Sequence, residues 1–186
     1  MFQVGDNIVC GNSGVCTVEE IGTLNIGAAP RDRLYYTLKP VYETGGKIFV
    51  PVDNDKVVLR VILSKDQVTQ LLNNIQQIEQ LWIPDEKKRE QEYKSAVNSC
   101  DCSRLIQIIK TLYFRKRERI QSGKKVTAVD DRYFRIAEDR LYEEMALALG
   151  ISKSEVEEYI RRYIDKCDEA DRHHMDDMFD SSRYAN

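Results

Sequence analysis

Two features of this chain could do chemistry: a close pair of thiols, Cys100-Asp101-Cys102, and a run of Lys and Arg between residues 104 and 125. Thiols that exchange electrons or bind zinc are usually spaced Cys-x-x-Cys, and here a single residue separates them. The other cysteines, Cys10, Cys16 and Cys167, make an odd total and add no ligand rhythm. The only histidines, His173 and His174, lie in the tail. The body of the chain therefore lacks the base that a Ser-His or Cys-His nucleophile requires. Its glycines match neither a phosphate-binding loop nor a dinucleotide fingerprint. Asp130-Asp131 and Glu143-Glu144 read as helix caps and solvated faces. The expectation is a non-enzyme with no cofactor and no metal site, its thiols reduced and at least half buried. A redox role for Cys100 and Cys102 is the rival that a low thiol pKa would reveal.

The basic run is the stronger signal. Arg104, Lys110, Arg115, Lys116, Arg117, Arg119, Lys124 and Lys125 face one acid, Glu118, although the chain's net charge is −3. From Asp165 onward seven acids oppose Lys166, Arg172 and Arg183. A helix that is merely soluble usually intersperses Glu at i,i+4, and this one does not. Such a block suits a phosphate backbone, each contact adding about −0.9 to the log–log salt slope on duplex DNA. These contacts position a protein without reading sequence. Trp82, the sole tryptophan, precedes Lys87, Lys88 and Arg89. It reads either as a helix-junction plug burying about 150–250 Å² or as an aromatic wedge. A wedge suits bases already unstacking, since opening a step costs on the order of a few kcal/mol. The candidate DNA contacts are Trp82, Lys87, Lys88, Arg89, Lys124, Lys125 and Arg132. The alternative is a protein–protein adaptor that binds no DNA and whose basic helices meet an acidic partner.

The elements that must position these groups change character near residue 64. Before it, β-type runs (Ile8–Cys10, Val15–Val18, Leu34–Leu38, Lys47–Val52, Val57–Ile62) alternate with turn signals such as Gly11-Asn12-Ser13-Gly14, Asn25-Ile26-Gly27 and Gly45-Gly46. Short strands at this spacing predict a small barrel or sandwich. Pro51 argues for an edge or a bulge, because proline cannot donate to a ladder, and an edge offers a docking surface. Of Tyr35-Tyr36, one is expected in the core and one at the surface.

From Ser64 the period becomes 3.6. Ser64-x-x-Gln67 caps a helix with Val68, Leu71, Leu72, Ile75 and Ile78 inward. Pro84 is expected to open a second helix that buries Tyr93, Ala96, Val97 and Cys100. A third begins at Asp101, a fourth at Thr127, and Ser152-x-x-Glu155 caps a fifth. The reading is an α+β chain in two domains: a five-stranded barrel over residues 1–64, then an all-α domain of about five helices over 65–166. An acidic tail, 167–186, is expected to be disordered. No apolar run approaches the roughly 20 residues that span a bilayer, and the start lacks signal-peptide features, so a cytoplasmic protein is expected.

Phe2-x-Val4-Gly5-Asp6-x-Ile8-Val9, then Gly14-Val15-x-x-Val18-x-x-Ile21, Tyr35-Tyr36-x-Leu38, Val50-Pro51-Val52 and Leu59-Arg60 resemble the first domain of the CarD/CdnL family of bacterial transcription regulators. Tyr93-Lys94, Ser99-x-Asp101, Ile109-x-x-Leu112 and Ala137-x-x-x-Leu141-x-x-Glu144 extend the resemblance through roughly residue 165. It implies a Tudor-like barrel that docks on the RNA polymerase β subunit, with Arg31, Arg33, Lys47 and Phe49 as candidate contacts. It also implies a helical domain that meets promoter DNA at the upstream edge of the transcription bubble, where a tryptophan wedges into the minor groove and open-complex stability is modulated. The implied protein is monomeric and nucleoid-associated through polymerase. In the family the tryptophan stands immediately before a basic pair. Here Glu86 holds that place, Trp82 lies upstream of it, and Phe49 replaces a basic residue before Val50-Pro51.

Overall fold

The computed structural model describes residues 1–24, 32–43, 45–83 and 85–166. The expected turn at 25–27, Pro84 and the tail at 167–186 lie outside these residues. The alternating runs form five antiparallel strands: β1 (Asn7–Cys10), β2 (Val15–Thr23), β3 (Leu34–Pro40), β4 (Ile48–Pro51) and β5 (Leu59–Val61). Their hydrogen-bonded order is β4-β3-β2-β1-β5. Period-two alternation gathers Ile8, Cys10, Cys16, Val18, Tyr36, Leu38 and Val50 into one core.

β2 outruns its apolar stretch and continues to Thr23 through a register shift between Val18 and Glu20. Such a bulge bends the strand and increases its twist. Pro51 does sit on an edge strand, β4. The Val52 N–H donates to the Leu34 carbonyl, so the Pro51 backbone, one residue earlier, faces away from β3 and breaks no ladder bond. The tyrosine pair departs from expectation, for Tyr35 and Tyr36 are both buried. Tyr36 enters the core. Tyr35, on the opposite face, lies between its cross-strand neighbours Gly22 and Pro51, with the Arg33 guanidinium 6.0 Å from its ring centre.

Five helices follow: α1 (Lys65–Asn73), α2 (Arg89–Asn98), α3 (Cys102–Gln121), α4 (Ala128–Leu149) and α5 (156–166). Ser64 and Gln67 close a reciprocal capping box on α1, Asp101 caps α3, and Thr127 caps α4. Ser152 and Glu155 cap the turn that leads into α5. Gly150 ends α4 at φ 69, a left-handed conformation that glycine adopts without strain. Their core joins Val68, Leu72, Tyr93, Leu105, Ile108, Leu112, Leu141, Met145 and Val156.

Three boundaries differ from the periodicity. α1 stops at Asn73, short of Ile78, and residues Ile75–Gln77 form a 3-10 turn. The Lys110 ammonium explains this, since it takes hydrogen bonds to the Ile75, Gln76 and Ile78 carbonyls that a longer helix would consume. α2 begins at Arg89 rather than at Pro84, because Asp85 caps a separate 3-10 turn, Glu86–Lys88, accepting the Lys87 N–H at 2.9 Å. Cys100 is buried but lies beyond α2, at φ 55.

The two halves meet through a buried ion pair. Glu144, expected on a solvated face, is only 2% exposed. Its carboxylate accepts a bidentate bond from Arg60 on β5, with Nη2–Oε2 at 2.7 Å, and also the Leu63 N–H at 2.9 Å and the Cys102 thiol at 3.2 Å. Arg60 Nε donates onward to the Cys100 carbonyl at 2.7 Å. The local pattern around Glu143-Glu144 could not reveal a partner 84 residues away. Beside this pair, Gly14 adopts φ 70, which strains any other residue, and its bare backbone lets the Arg140 and Glu143 head groups lie against it.

Arg60→Ala strands the Glu144 charge without its cation and should lower unfolding stability by about 3–5 kcal/mol. Thermal or urea unfolding checks this. The double substitution Arg60→Met with Glu144→Leu should recover part of the loss. Equal destabilisation by single and double variants would contradict the account.

Candidate nucleic-acid interface

The segment before α2 carries the sequence-predicted wedge. Trp82 is 82% exposed, so it is not the packing plug that one reading allowed. The chain around it is held from both sides. The Leu81 N–H donates to Thr111 Oγ1 at 2.7 Å, while Leu81 and Ile83 pack on the helical core. Trp82 is therefore presented outward between two anchored residues. Lys87 and Lys88, in the 3-10 turn that follows, are both exposed.

Arg89 behaves differently from its two neighbours. Its guanidinium turns inward to Glu86 and to Asp130, the Nε lying 3.4 Å from Asp130 Oδ1. Asp130, expected at a helix cap, is 3% exposed. It also accepts Arg115 Nε at 3.2 Å and faces the Tyr93 hydroxyl at 3.5 Å. Burial, and then the Asp130 charge, push the Tyr93 phenol up to about 12. Arg115 further makes a bidentate bond to Glu86, at 2.8 Å to each oxygen. That pairing holds the Glu86 carboxyl below the usual range.

The basic run thus splits by role. Lys110 and Arg115 serve the fold, and Arg104 bonds Gln107 on its own helix. Lys116, Arg117, Lys124 and Lys125 are exposed, and Arg119 Nε donates to the Lys125 carbonyl at 2.8 Å, which fixes the loop after α3. Arg132 pairs with Glu90 while its guanidinium lies 4.8 Å over the Tyr133 ring. Arg115 is compensated by Glu86 and Asp130, and Arg89 by Asp130 as well as by nearby Glu86; a count of charges along α3 sees neither acid.

On the barrel, Lys47 and Phe49 come together beside Gly22 and Thr37, and Phe49 is 40% exposed on edge strand β4. Lys47 pairs with Glu19 at 3.0 Å. Arg33 lies apart from them and pairs with Asp53 at 2.8 Å. Arg31 lies outside the described residues.

The CarD-like/TRCF RID domain description matches residues 2–62, and the CarD C-terminal domain description matches residues 67–161. The chain belongs to the CarD/CdnL family. No curated protein matches it. Membership makes it a transcription-associated protein that interacts with RNA polymerase, and CarD-like proteins are regulatory rather than enzymatic.

The CarD-family chain carries Cys100 and Cys102 as buried structural thiols. Burial raises the pKa of both Cys100 and Cys102, and the neighbouring Glu144 carboxylate raises Cys102 further, the reverse of what a redox nucleophile needs. Among the described residues no helix is long and apolar enough to cross a membrane. In the folded Cys167→Ser variant at pH 8, a thiol reagent should react with Cys10, Cys16, Cys100 and Cys102, all buried, only after unfolding. Rapid labelling of any of them in the native protein would restore a reactive-thiol reading.

Proposed function

We propose that this protein binds the RNA polymerase β subunit through its barrel and promoter DNA through its helical domain, near the upstream edge of the transcription bubble. The observation that carries this reading is the outward presentation of Trp82 five residues before the exposed side chains of Lys87 and Lys88. An exposed indole wins nothing from folding, whereas against a partly unstacked base step it buries its full apolar face. Lys124, Lys125 and Arg132 add sequence-independent phosphate contacts. Arg89 contributes indirectly, by bracing the turn that carries Lys87 and Lys88 against Asp130.

The polymerase contact is assigned to the edge of β4, where Phe49 and Lys47 sit, with Arg33 and Arg31 (the latter outside the described residues) as further candidates. A strand edge accepts a partner strand through main-chain bonds, while side chains such as Phe49 supply specificity. In this reading the protein acts as a cytoplasmic monomer. A contact made better in the open complex than in the closed one raises the open population by its differential affinity alone.

Trp82→Ala should shorten open-complex lifetime while leaving polymerase affinity and melting temperature unchanged, as read by competitor-challenge kinetics and thermal unfolding. Lys87→Gln with Lys88→Gln should lower the salt slope of duplex binding by about 1.8, two contacts at about 0.9 each. If duplex DNA fails to bind the native protein at low salt while an acidic protein binds, the charge serves a protein partner instead.

A further inference from the structure

The carboxyl-terminal half of α3 carries a face that neither the fold nor the proposed Trp82 contact uses. Cys102, Ile106, Ile109, Tyr113, Arg117 and Ile120 follow at intervals of three and four residues, so they lie on one side of the helix. The stripe is buried at Cys102 and Ile106 and half-buried at Ile109. It then runs into solvent, with Tyr113 49% and Ile120 59% exposed. The exposed part is ordered by its own contacts. Tyr113 meets Phe114 edge to face at 5.6 Å, and the Arg117 guanidinium lies 5.9 Å over the Tyr113 ring. Lys116 and Lys124 flank it, both exposed. An aromatic and aliphatic strip bordered by cations is a poor match for phosphate alone, which offers the apolar part nothing. It fits an acidic peptide that also carries apolar side chains.

Residues 168–180 have that composition. Asp168, Glu169, Asp171, Asp176, Asp177 and Asp180 oppose the single Arg172, and Met175, Met178 and Phe179 stand among them. The chain also enters this segment close to the face. The Tyr163 hydroxyl of α5 bonds Asn73 at 2.7 Å, which holds the last described turn of α5 beside the end of α1. Two residues on, the Ile75 carbonyl bonds Lys110 of α3. From Lys110 to Ile120 is about 15 Å along the helix, and residues 167–175 span up to about 30 Å when extended. Covalent attachment at that distance gives an effective concentration in the millimolar range, so even a weak contact is well populated.

We propose that residues 168–180 of this chain occupy the Tyr113–Ile120 face of α3, neutralising its cations and competing with DNA for the basic side of the helical domain. The competition rests on the DNA reading above, whereas the contact itself does not. The test uses the full chain with the six acids replaced by their amides, Asp168→Asn through Asp180→Asn with Glu169→Gln. A second variant, Met175→Ser, Met178→Ser and Phe179→Ser, keeps every charge. All substitutions lie outside the described residues, and thermal unfolding of both variants checks that the fold is kept.

Amide chemical shifts of Tyr113 to Ile120 should move in both variants relative to the native chain. The shift difference should not depend on protein concentration. Affinity of the amide variant for a nonspecific duplex at low salt should rise roughly three- to tenfold. Unmoved α3 shifts overturn the proposal whatever the DNA result, and so does a concentration-dependent difference, which would mean contact between two molecules. Moved shifts with no DNA binding by either protein uphold the contact and count against the DNA reading alone.

Discussion

The setting of the barrel against the helices depends on one buried carboxylate. Glu144, on α4, gathers donors from three places: Arg60 at the end of the barrel, Leu63 in the segment leaving it, and Cys102 at the start of α3. A charge this deep is costly in isolation, and the bidentate guanidinium with two further donors offsets that cost. The consequence is geometric. Rotating the barrel away from the helices would pull Arg60 off Glu144 and leave the carboxylate buried and unpaired. The relative setting of the halves is therefore held by an electrostatic penalty as well as by apolar contact. The Arg140 and Glu143 head groups lie against Gly14 at the same seam.

Asp130 repeats this logic within the helical domain. It sits buried between Arg89 of α2 and Arg115 of α3, and Glu86 closes the same network from the surface. The network sorts the basic residues. Those that reach Asp130 or Glu86 are consumed in positioning α2 against α3, and those one position away, Lys87, Lys88 and Lys116, remain in water. Arginine suits the first role because its planar fork bonds two carboxylates at once, and lysine suits the second because its ammonium stays hydrated and mobile. The chain follows that division along the segment Lys87-Lys88-Arg89.

Elements whose signals are local were legible in the sequence. Capping boxes at Ser64 and Ser152, caps at Asp101 and Thr127, and the glycine stop at Gly150 all involve partners within four residues. The five strands were equally plain, as was the edge position that Pro51 demands. What escaped was set by contacts far along the chain. Lys110 shortens α1 from 35 residues away, Arg60 buries Glu144 from 84 residues away, and Arg115 takes up an acid that capping chemistry had claimed. The candidate interface was legible in the same proportion. Lys87, Lys88, Lys124 and Lys125 stand exposed, while Arg89 belongs to the Asp130 network for a reason that no count of charges contains. The exposure of Trp82 was also beyond the sequence, because it follows from the anchoring of Leu81 on Thr111 rather than from the tryptophan itself.

The rigid seam bears directly on how two weak surfaces could act as one. If the barrel holds polymerase, a helical domain free to tumble would search a large volume around it, and each nucleic-acid contact would repay that freedom before stabilising anything. With Arg60 locked to Glu144, the second contact starts from a fixed orientation. Under the proposed function, a strip of charge that holds DNA only weakly by itself gains from that fixed start. In the same proposed reading, discrimination between closed and open duplex follows from that constraint, because a wedge held at a set angle fits one DNA geometry better than another, and only that difference in fit shifts the equilibrium.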